Sequence, residues 1–248
     1  MHTAHARAIV AFLFGVLLGG CASTPPYQGM SADQLFELGT QRFEEEDWSK
    51  AAEVFERLLF ADPTYPRIVE ARMYLARAHY NQGNYITATS EFTRILDRHP
   101  GHALAPEASL GICKSYAAQS PHVQRDQAAT VQAWNSCENT ATDFRNHPVA
   151  AEARAIRDEM EAKLAEKIFL AGEFYYRRNF YHPGIIYFND LLRQYPRSEW
   201  AAKALLRLYQ SYSAMDWDTE AEEVRGRLLR EFPDSDAARE VRTDGGGL

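Results

Sequence analysis

Cysteine is scarce in this chain, with three in 248 residues, so the composition is not that of a small disulfide scaffold. The 14 glycines and 11 prolines are dispersed, which excludes collagen, and no GxxxxGK[ST] or GxGxxG loop occurs that could cradle a phosphate. Basic residues are outnumbered, 27 against 34 acidic ones, and this balance argues against a nucleic-acid binder. What is present is 46% hydrophobic residues, enough to bury a substantial core.

The N-terminal segment has the pattern of a bacterial export signal. An apolar run over residues 8–18 is too short to span a bilayer but typical of a secretory signal. It ends in Leu-Gly-Gly-Cys21, which resembles a lipobox. We therefore predict a lipoprotein signal peptide over residues 1–20, with N-acyl and S-diacylglycerol chains on Cys21, and a polar tether over residues 21–30. The alternative is a simple signal peptide or an anchor helix with a chance cysteine. By analogy with Gram-negative lipoproteins, Ala22 predicts sorting to the outer membrane.

The rest of the chain repeats one helical phrase that ends in a proline. The five prolines are Pro63, Pro100, Pro148, Pro196 and Pro233. Apolar and small residues before them match the tetratricopeptide (TPR) pattern, in which small residues let paired helices approach and bulky ones fill the seam. The fold class predicted is all-α, an α-α superhelix (solenoid) of about five TPR repeats over residues 31–242. The approximate repeats are 32–65, 69–102, 106–150, 165–198 and 202–235.

The third repeat departs most from the TPR pattern. We expect its helices near residues 106–118 and 126–144, followed by a long helix over about 149–178. After the fifth repeat we expect little capping helix and a flexible tail over residues 243–248. Cys113 and Cys137 fall on the two helices of the third repeat, which pack as a hairpin. In a compartment where disulfides persist, they are a candidate bridge, the alternative being two buried thiols.

Repeat solenoids bind along a concave groove that is lined by the first helix of each repeat. On the TPR register the candidate peptide-binding groove consists of Phe36, Phe43, Met73, Arg77 and Tyr80. Aromatic rings and an arginine suit an extended peptide that ends in an aromatic residue, because arginine pairs with the terminal carboxylate. The alternative is that Phe36 and Phe43 complete the core between helices.

The fourth repeat carries an aromatic cluster that is either a docking face or core. The candidate partner-docking residues are Phe169, Glu173, Tyr175 and Tyr176. The alternative is that they form the core of a long helix pair.

Residues that could support chemistry are few. His99 and His102 lack a nearby carboxylate or cysteine and do not form a zinc site, so no metal is predicted. No nucleophile and base have a usable spacing, so we predict that the chain is not an enzyme. An enzymatic alternative would require a carboxylate of raised pKa, for which Glu166 and Glu173 are the groove acids nearest the aromatic cluster.

Lipobox, tether and five TPR repeats together resemble the BamD family of lipoproteins from the outer-membrane β-barrel assembly (BAM) machinery. The phrases that carry the resemblance are 44–52, 71–76, 84–92, 171–176 and 195–198. The resemblance implies a lipid-anchored adaptor on the periplasmic face of the outer membrane of a Gram-negative bacterium. The partners that it implies are a POTRA-containing barrel assembly protein, other BAM subunits and unfolded outer-membrane proteins. A periplasmic TPR scaffold for other envelope or cell-wall machinery is the alternative.

Overall fold

The computed structural model describes residues 27–244, which are helical throughout apart from the turns and loops. The predicted lipid site at Cys21 and its signal peptide lie outside the described residues. Eleven helices occur within the described range: α1 Ala32–Glu44, α2 Trp48–Ala61, α3 Ile68–Asn81, α4 Tyr85–Arg98, α5 Ala105–Ala118, α6 Ala128–Asp143, α7 Val149–Tyr176, α8 Tyr181–Gln194, α9 Glu199–Ser213, α10 Asp218–Glu231 and α11 Asp236–Asp244. Each packs against its neighbours in sequence, so α1 to α10 form five stacked helix pairs, as the sequence predicts.

The turn inside each regular repeat has the same backbone conformation. In four of the five pairs one residue between the two helices has a positive φ: Glu46 at 58°, Gly83 at 79°, Asn179 at 62° and Asp216 at 57°. Glycine adopts this left-handed conformation without steric cost, and asparagine and aspartate adopt it more readily than most other residues. The third pair has instead a nine-residue connection between Ala118 and Ala128, which explains its poor match to the TPR pattern.

Local signals set where the first helices begin. Ser31 and Gln34 form a reciprocal capping box at the start of α1, and the side chain of Asp47 accepts a hydrogen bond from the backbone of Lys50 at the start of α2. Close packing within the repeat then depends on a small residue. A Cβ atom at Gly39 would lie 2.8 Å from Cζ of Phe55, so the absence of a side chain lets this ring fill the seam between α1 and α2.

The core is a series of four apolar clusters within the described residues, and they follow one another along the stack. This arrangement is expected of a solenoid, where each repeat buries its apolar face against its neighbours only. The 28-residue α7 joins the third and fourth pairs and is about 42 Å long. No helix among the described residues has both the length and the apolar character required to cross a membrane.

The C-terminal end differs from the prediction. A capping helix, α11, follows the fifth pair and continues to Asp244, so residues 243 and 244 are helical where a flexible tail was predicted. The rest of that predicted tail lies outside the described residues. Ala237, Ala238 and Val241 of this helix are buried against the last repeat. These three apolar positions cover the end of the solenoid, which would otherwise expose the face of its last pair.

Candidate functional site

A pocket of about 270 Å³ opens between the ends of α1 and α3 and the face of α5. It is lined by Phe43, Arg77, Tyr80, Asn81, Phe92, Glu107, Leu110, Gly111 and Lys114. Three of the five residues predicted for the groove, Phe43, Arg77 and Tyr80, therefore meet in one place. We call this site the N-terminal pocket.

The apolar part of the N-terminal pocket is formed by rings that pack against other residues of the fold. The Phe43 ring lies 4.8 Å from Trp48 and 5.1 Å from Tyr74, between ring centroids, and both contacts are edge-to-face. On the opposite wall, Gly111 lets the buried Phe92 ring approach α5, since a Cβ atom there would lie 2.6 Å from the ring. Phe43 and Phe92 are thus both held by close contacts with neighbouring residues.

The polar part of the N-terminal pocket has an uncompensated cation and an unsatisfied acceptor. Arg77 is exposed and forms no ion pair or side-chain hydrogen bond with the described residues. Lys114 is paired with Glu152 at 2.5 Å. The Oε2 atom of Glu107 is buried without a hydrogen-bond donor, and its Oε1 lies 3.9 Å from Nε2 of His147. A peptide terminus could satisfy both groups, by placing its carboxylate on Arg77 and an N–H group on Glu107.

Phe36 and Met73 do not line the groove, and for these two residues the prediction was wrong. Met73 is 2% exposed and packs in the core between α3 and α5. Phe36 is 4% exposed, contacts Phe55 and Tyr74, and is covered by the guanidinium of Arg67 at 3.8 Å. The first helices of successive repeats pack directly on one another, so these two positions face a neighbouring helix and not the solvent.

The wall that α5 supplies was not predicted from the sequence. Glu107, Leu110 and Lys114 are spaced three and four residues apart, which places them on one helical face. That spacing was visible in the sequence. It was overlooked because the third repeat has an irregular pattern, so that its groove positions were not assigned.

The residues predicted for the docking face of the fourth repeat separate into core and surface. Phe169 is buried, with its ring 5.6 Å from Phe188 and 5.1 Å from Trp200, so its assignment to a docking face was wrong. Tyr176 is half-buried, and its hydroxyl donates a hydrogen bond to Gln210 at 3.2 Å. Tyr175 is also half-buried, and its ring contacts two exposed aromatic residues, Phe174 at 5.3 Å and Tyr187 at 5.6 Å.

Glu173 is also buried, and its carboxylate is already occupied. It accepts hydrogen bonds from Arg207 at 2.7 Å and from Arg177 at 2.9 Å. Burial raises the pKa of the Glu173 carboxyl, but the hydrogen bonds from Arg207 and Arg177 outweigh that effect and hold the pKa below its ordinary value. A general acid requires a raised pKa, so Glu173 does not suit the enzymatic alternative. It instead joins α7 to α9.

The two cysteines of the third repeat form a disulfide in the structure. The Cα atoms of Cys113 on α5 and Cys137 on α6 are 4.8 Å apart, within the usual range for a bridge. Both residues are fully buried. The bridge ties together the helix pair that has the longest internal connection and whose first helix forms a wall of the N-terminal pocket.

Stacked helix pairs with a capping helix define an α-α solenoid of TPR-like repeats. The described residues contain no group of three metal-ligating side chains. Among families of known proteins, the chain belongs to the YfiO family, described as outer membrane lipoproteins, whose family model matches residues 28–228.

Similar curated proteins come from several bacteria. The chain is 25% identical over 233 residues to "Outer membrane protein assembly factor BamD" of Caulobacter vibrioides, an alignment that covers 92% of this chain and 76% of the relative. It is 24% identical to the protein of the same name from Rickettsia prowazekii, with 90% of each chain covered. Among solved structures, the TPR2AB domain of yeast Sti1 in its "pHSP90-complex" aligns with a TM-score of 0.46 at 14% identity, over 84% of this chain and 80% of that one.

Proposed function

We propose that this protein is a lipid-anchored, non-catalytic adaptor of the β-barrel assembly complex at the periplasmic face of the outer membrane. In this role it binds a POTRA-containing barrel assembly protein and unfolded outer-membrane proteins, and so promotes their folding and insertion. Support comes from the family match over residues 28–228 and from the assembly-factor names of relatives that cover most of the chain. Covalent lipid on Cys21 would supply the anchor without a membrane-spanning helix.

The observation that carries the client-binding part of this proposal is the N-terminal pocket. Arg77 is a cation without a partner among the described residues, and it borders the rings of Phe43 and Tyr80. A chain terminus with an aromatic side chain matches this arrangement, because its ring replaces water on the aromatic edges while its carboxylate pairs with the guanidinium. Internal peptide segments lack that carboxylate and would lose the ion pair.

A direct test compares two labelled decapeptides that end in phenylalanine, one with a free C-terminal carboxylate and one with an amide. Fluorescence anisotropy with the wild-type protein should give about tenfold tighter binding of the free acid, since a charge-assisted hydrogen bond contributes about 1.5–3 kcal/mol. Arg77→Ala should weaken binding of the acid and remove the difference between the two peptides. Arg57→Ala, an exposed arginine on α2, is the matched control and should preserve it. Equal affinity of the wild type for acid and amide would rule out recognition of the terminus.

The adaptor role has a separate test. Affinity isolation from detergent-solubilised outer membranes should recover a POTRA-containing barrel protein with the wild type. Cys21→Ala should shift the protein from the membrane to the soluble fraction. Isolation of the membrane-bound wild type without any POTRA-containing protein would count against the proposal even if the pocket binds peptides.

A further inference from the structure

A recess of about 400 Å³ lies between α4 and α6, with α5 as its floor. Both α4 and α6 pack on α5, but among the described helices they make no contact with each other. We call this site the α5 recess. It is lined by Leu96 of α4, by Ser109, Ile112 and Tyr116 of α5, and by Gln132, Asn135, Ser136, Asn139 and Asp143 of α6.

The α5 recess and the N-terminal pocket use opposite faces of α5. Ser109, Ile112 and Tyr116 border the recess, whereas Leu110 and Lys114 border the pocket. With about 3.6 residues per turn, these two sets of positions lie roughly half a turn apart around the helix. A ligand in the recess therefore cannot reach the pocket, and the two sites can be tested independently.

The wall that α6 supplies is rich in amide groups. Gln132, Asn135 and Asn139 are spaced three and four residues apart, so they share one helical face. All three are exposed and form no side-chain hydrogen bond with the described residues. Each amide offers two donors and one acceptor. This wall therefore presents many hydrogen-bonding groups that the fold itself leaves unused.

The charge of the α5 recess restricts the class of ligand. None of the nine residues that line it is basic, so a phosphate or an acidic peptide would find no cation there. Asp143 is exposed and forms no ion pair within the described part of the chain. A carboxylate without a cation accepts hydrogen bonds from neutral donors such as hydroxyl groups.

The floor of the recess is apolar and is firmly joined to the α6 wall. Leu96 and Ile112 are partly buried hydrophobic residues that belong to the core cluster beneath. The disulfide between Cys113 and Cys137 links α5 to α6. A second link is the hydrogen bond of 2.8 Å between the hydroxyl groups of Ser109 and Thr140. Because floor and wall are already joined, a ligand would pay little to order them.

We propose that the α5 recess binds an uncharged oligosaccharide. A pyranose ring has apolar C–H faces, which match the floor of Leu96 and Ile112, and a rim of hydroxyl groups, which matches the amides of α6. Two adjacent sugar hydroxyls can donate together to the two oxygens of Asp143. An extended peptide cannot do so, because its N–H groups on one side are about 6.6 Å apart. This binding activity goes beyond the proposed adaptor role and does not depend on it.

The test titrates the full chain with two uncharged probes, chitotetraose and cellotetraose, and follows binding by ligand-observed NMR. The variant Gln132→Ala/Asn139→Ala removes two amides from the α6 wall. Both positions are exposed, and alanine favours a helix, so the variant should keep its fold. The matched control, Asn189→Ala/Gln194→Ala, removes the same two groups from exposed positions of α8. Circular dichroism checks the helix content of both variants.

The wild type and the α8 control should bind at least one of the two saccharides with equal affinity. The α6 variant should bind it about tenfold more weakly, as expected from the loss of two hydrogen bonds. Arg77→Ala should leave this affinity unchanged, because Arg77 borders the N-terminal pocket.

Two results would overturn the proposal directly. One is a wild type that binds neither saccharide, and the other is equal binding by the wild type and the α6 variant. A neutral ten-residue peptide of serine, asparagine and glycine provides a further check. If this peptide binds the wild type but not the α6 variant, and neither saccharide binds, the recess is a polypeptide site and the proposal is wrong.

Discussion

Removal of the Cys113–Cys137 bridge should reduce the stability of the third repeat. The bridge closes a loop with a sequence separation of 24 residues, so its effect on the entropy of the unfolded chain corresponds to about 3.5 kcal/mol at 25 °C. The double variant Cys113→Ala/Cys137→Ala should lose stabilisation of that order. In a solenoid each repeat is supported only by its neighbours, so we expect the loss to be concentrated in α5 and α6.

Two measurements check this expectation. Urea unfolding followed by circular dichroism at 222 nm should show that the variant unfolds at lower urea than the oxidised wild type. Hydrogen exchange measured by mass spectrometry should be faster in the variant than in the oxidised wild type in α5 and α6. The helices α1 and α2 serve as the internal control, because their exchange should differ less between the two proteins. The urea midpoint of the variant should not respond to reductant, whereas that of the wild type should fall towards the variant.

Either of two results would contradict the expected contribution of the bridge to stability. One is an unchanged urea midpoint when the wild type is reduced. The other is alkylation of both cysteines in the denatured protein before any reductant is added. Because both side chains are fully buried, reductant reaches the bond only when the repeat opens, so reduction must be carried out in denaturant or over long times.

Two further predictions concern packing and pH. Gly172→Ala should destabilise the protein by about 1–3 kcal/mol, because the new Cβ would lie 2.6 Å from the buried Phe188 ring. Gly101→Ala is the control and should have little effect, because no atom lies within 4 Å of its new Cβ. Equal melting temperatures for the two variants would contradict this prediction. The pKa of Glu173 is lowered in the folded state, so its contribution to stability is present above its unfolded pKa and is lost as pH falls through the lower, folded value. Melting temperatures of the wild type should therefore decrease more steeply than those of Glu173→Gln as the pH falls from the unfolded pKa to the folded one. Parallel pH profiles would show that the ion pair with Arg207 does not contribute.

The general architecture could be predicted because it depends on local and periodic signals. The prolines at the ends of the second helices and the small residues opposite bulky ones repeat along the chain, and the helix pairs follow them. The long α7 was predicted to within two residues at its end, since its helical pattern is continuous. The extent of α11 was underestimated because Ala237, Ala238 and Val241 offer only a short apolar pattern before the glycines at the C-terminus.

The sequence by itself thus determined the class of fold, the number of repeats and the pair of cysteines on facing helices. It also determined that Arg77, Tyr80 and Phe43 lie on one side of the solenoid, where they border the N-terminal pocket. Only the tertiary structure decided which of the similar side chains reach the surface. Phe36 and Phe43 are both aromatic residues of α1, yet one is buried against α3 and the other borders a pocket. The difference arises from the angle and distance at which successive helices pack. Those parameters depend on contacts between residues far apart in sequence, such as Gly111 with Phe92, and no periodicity within one helix encodes them.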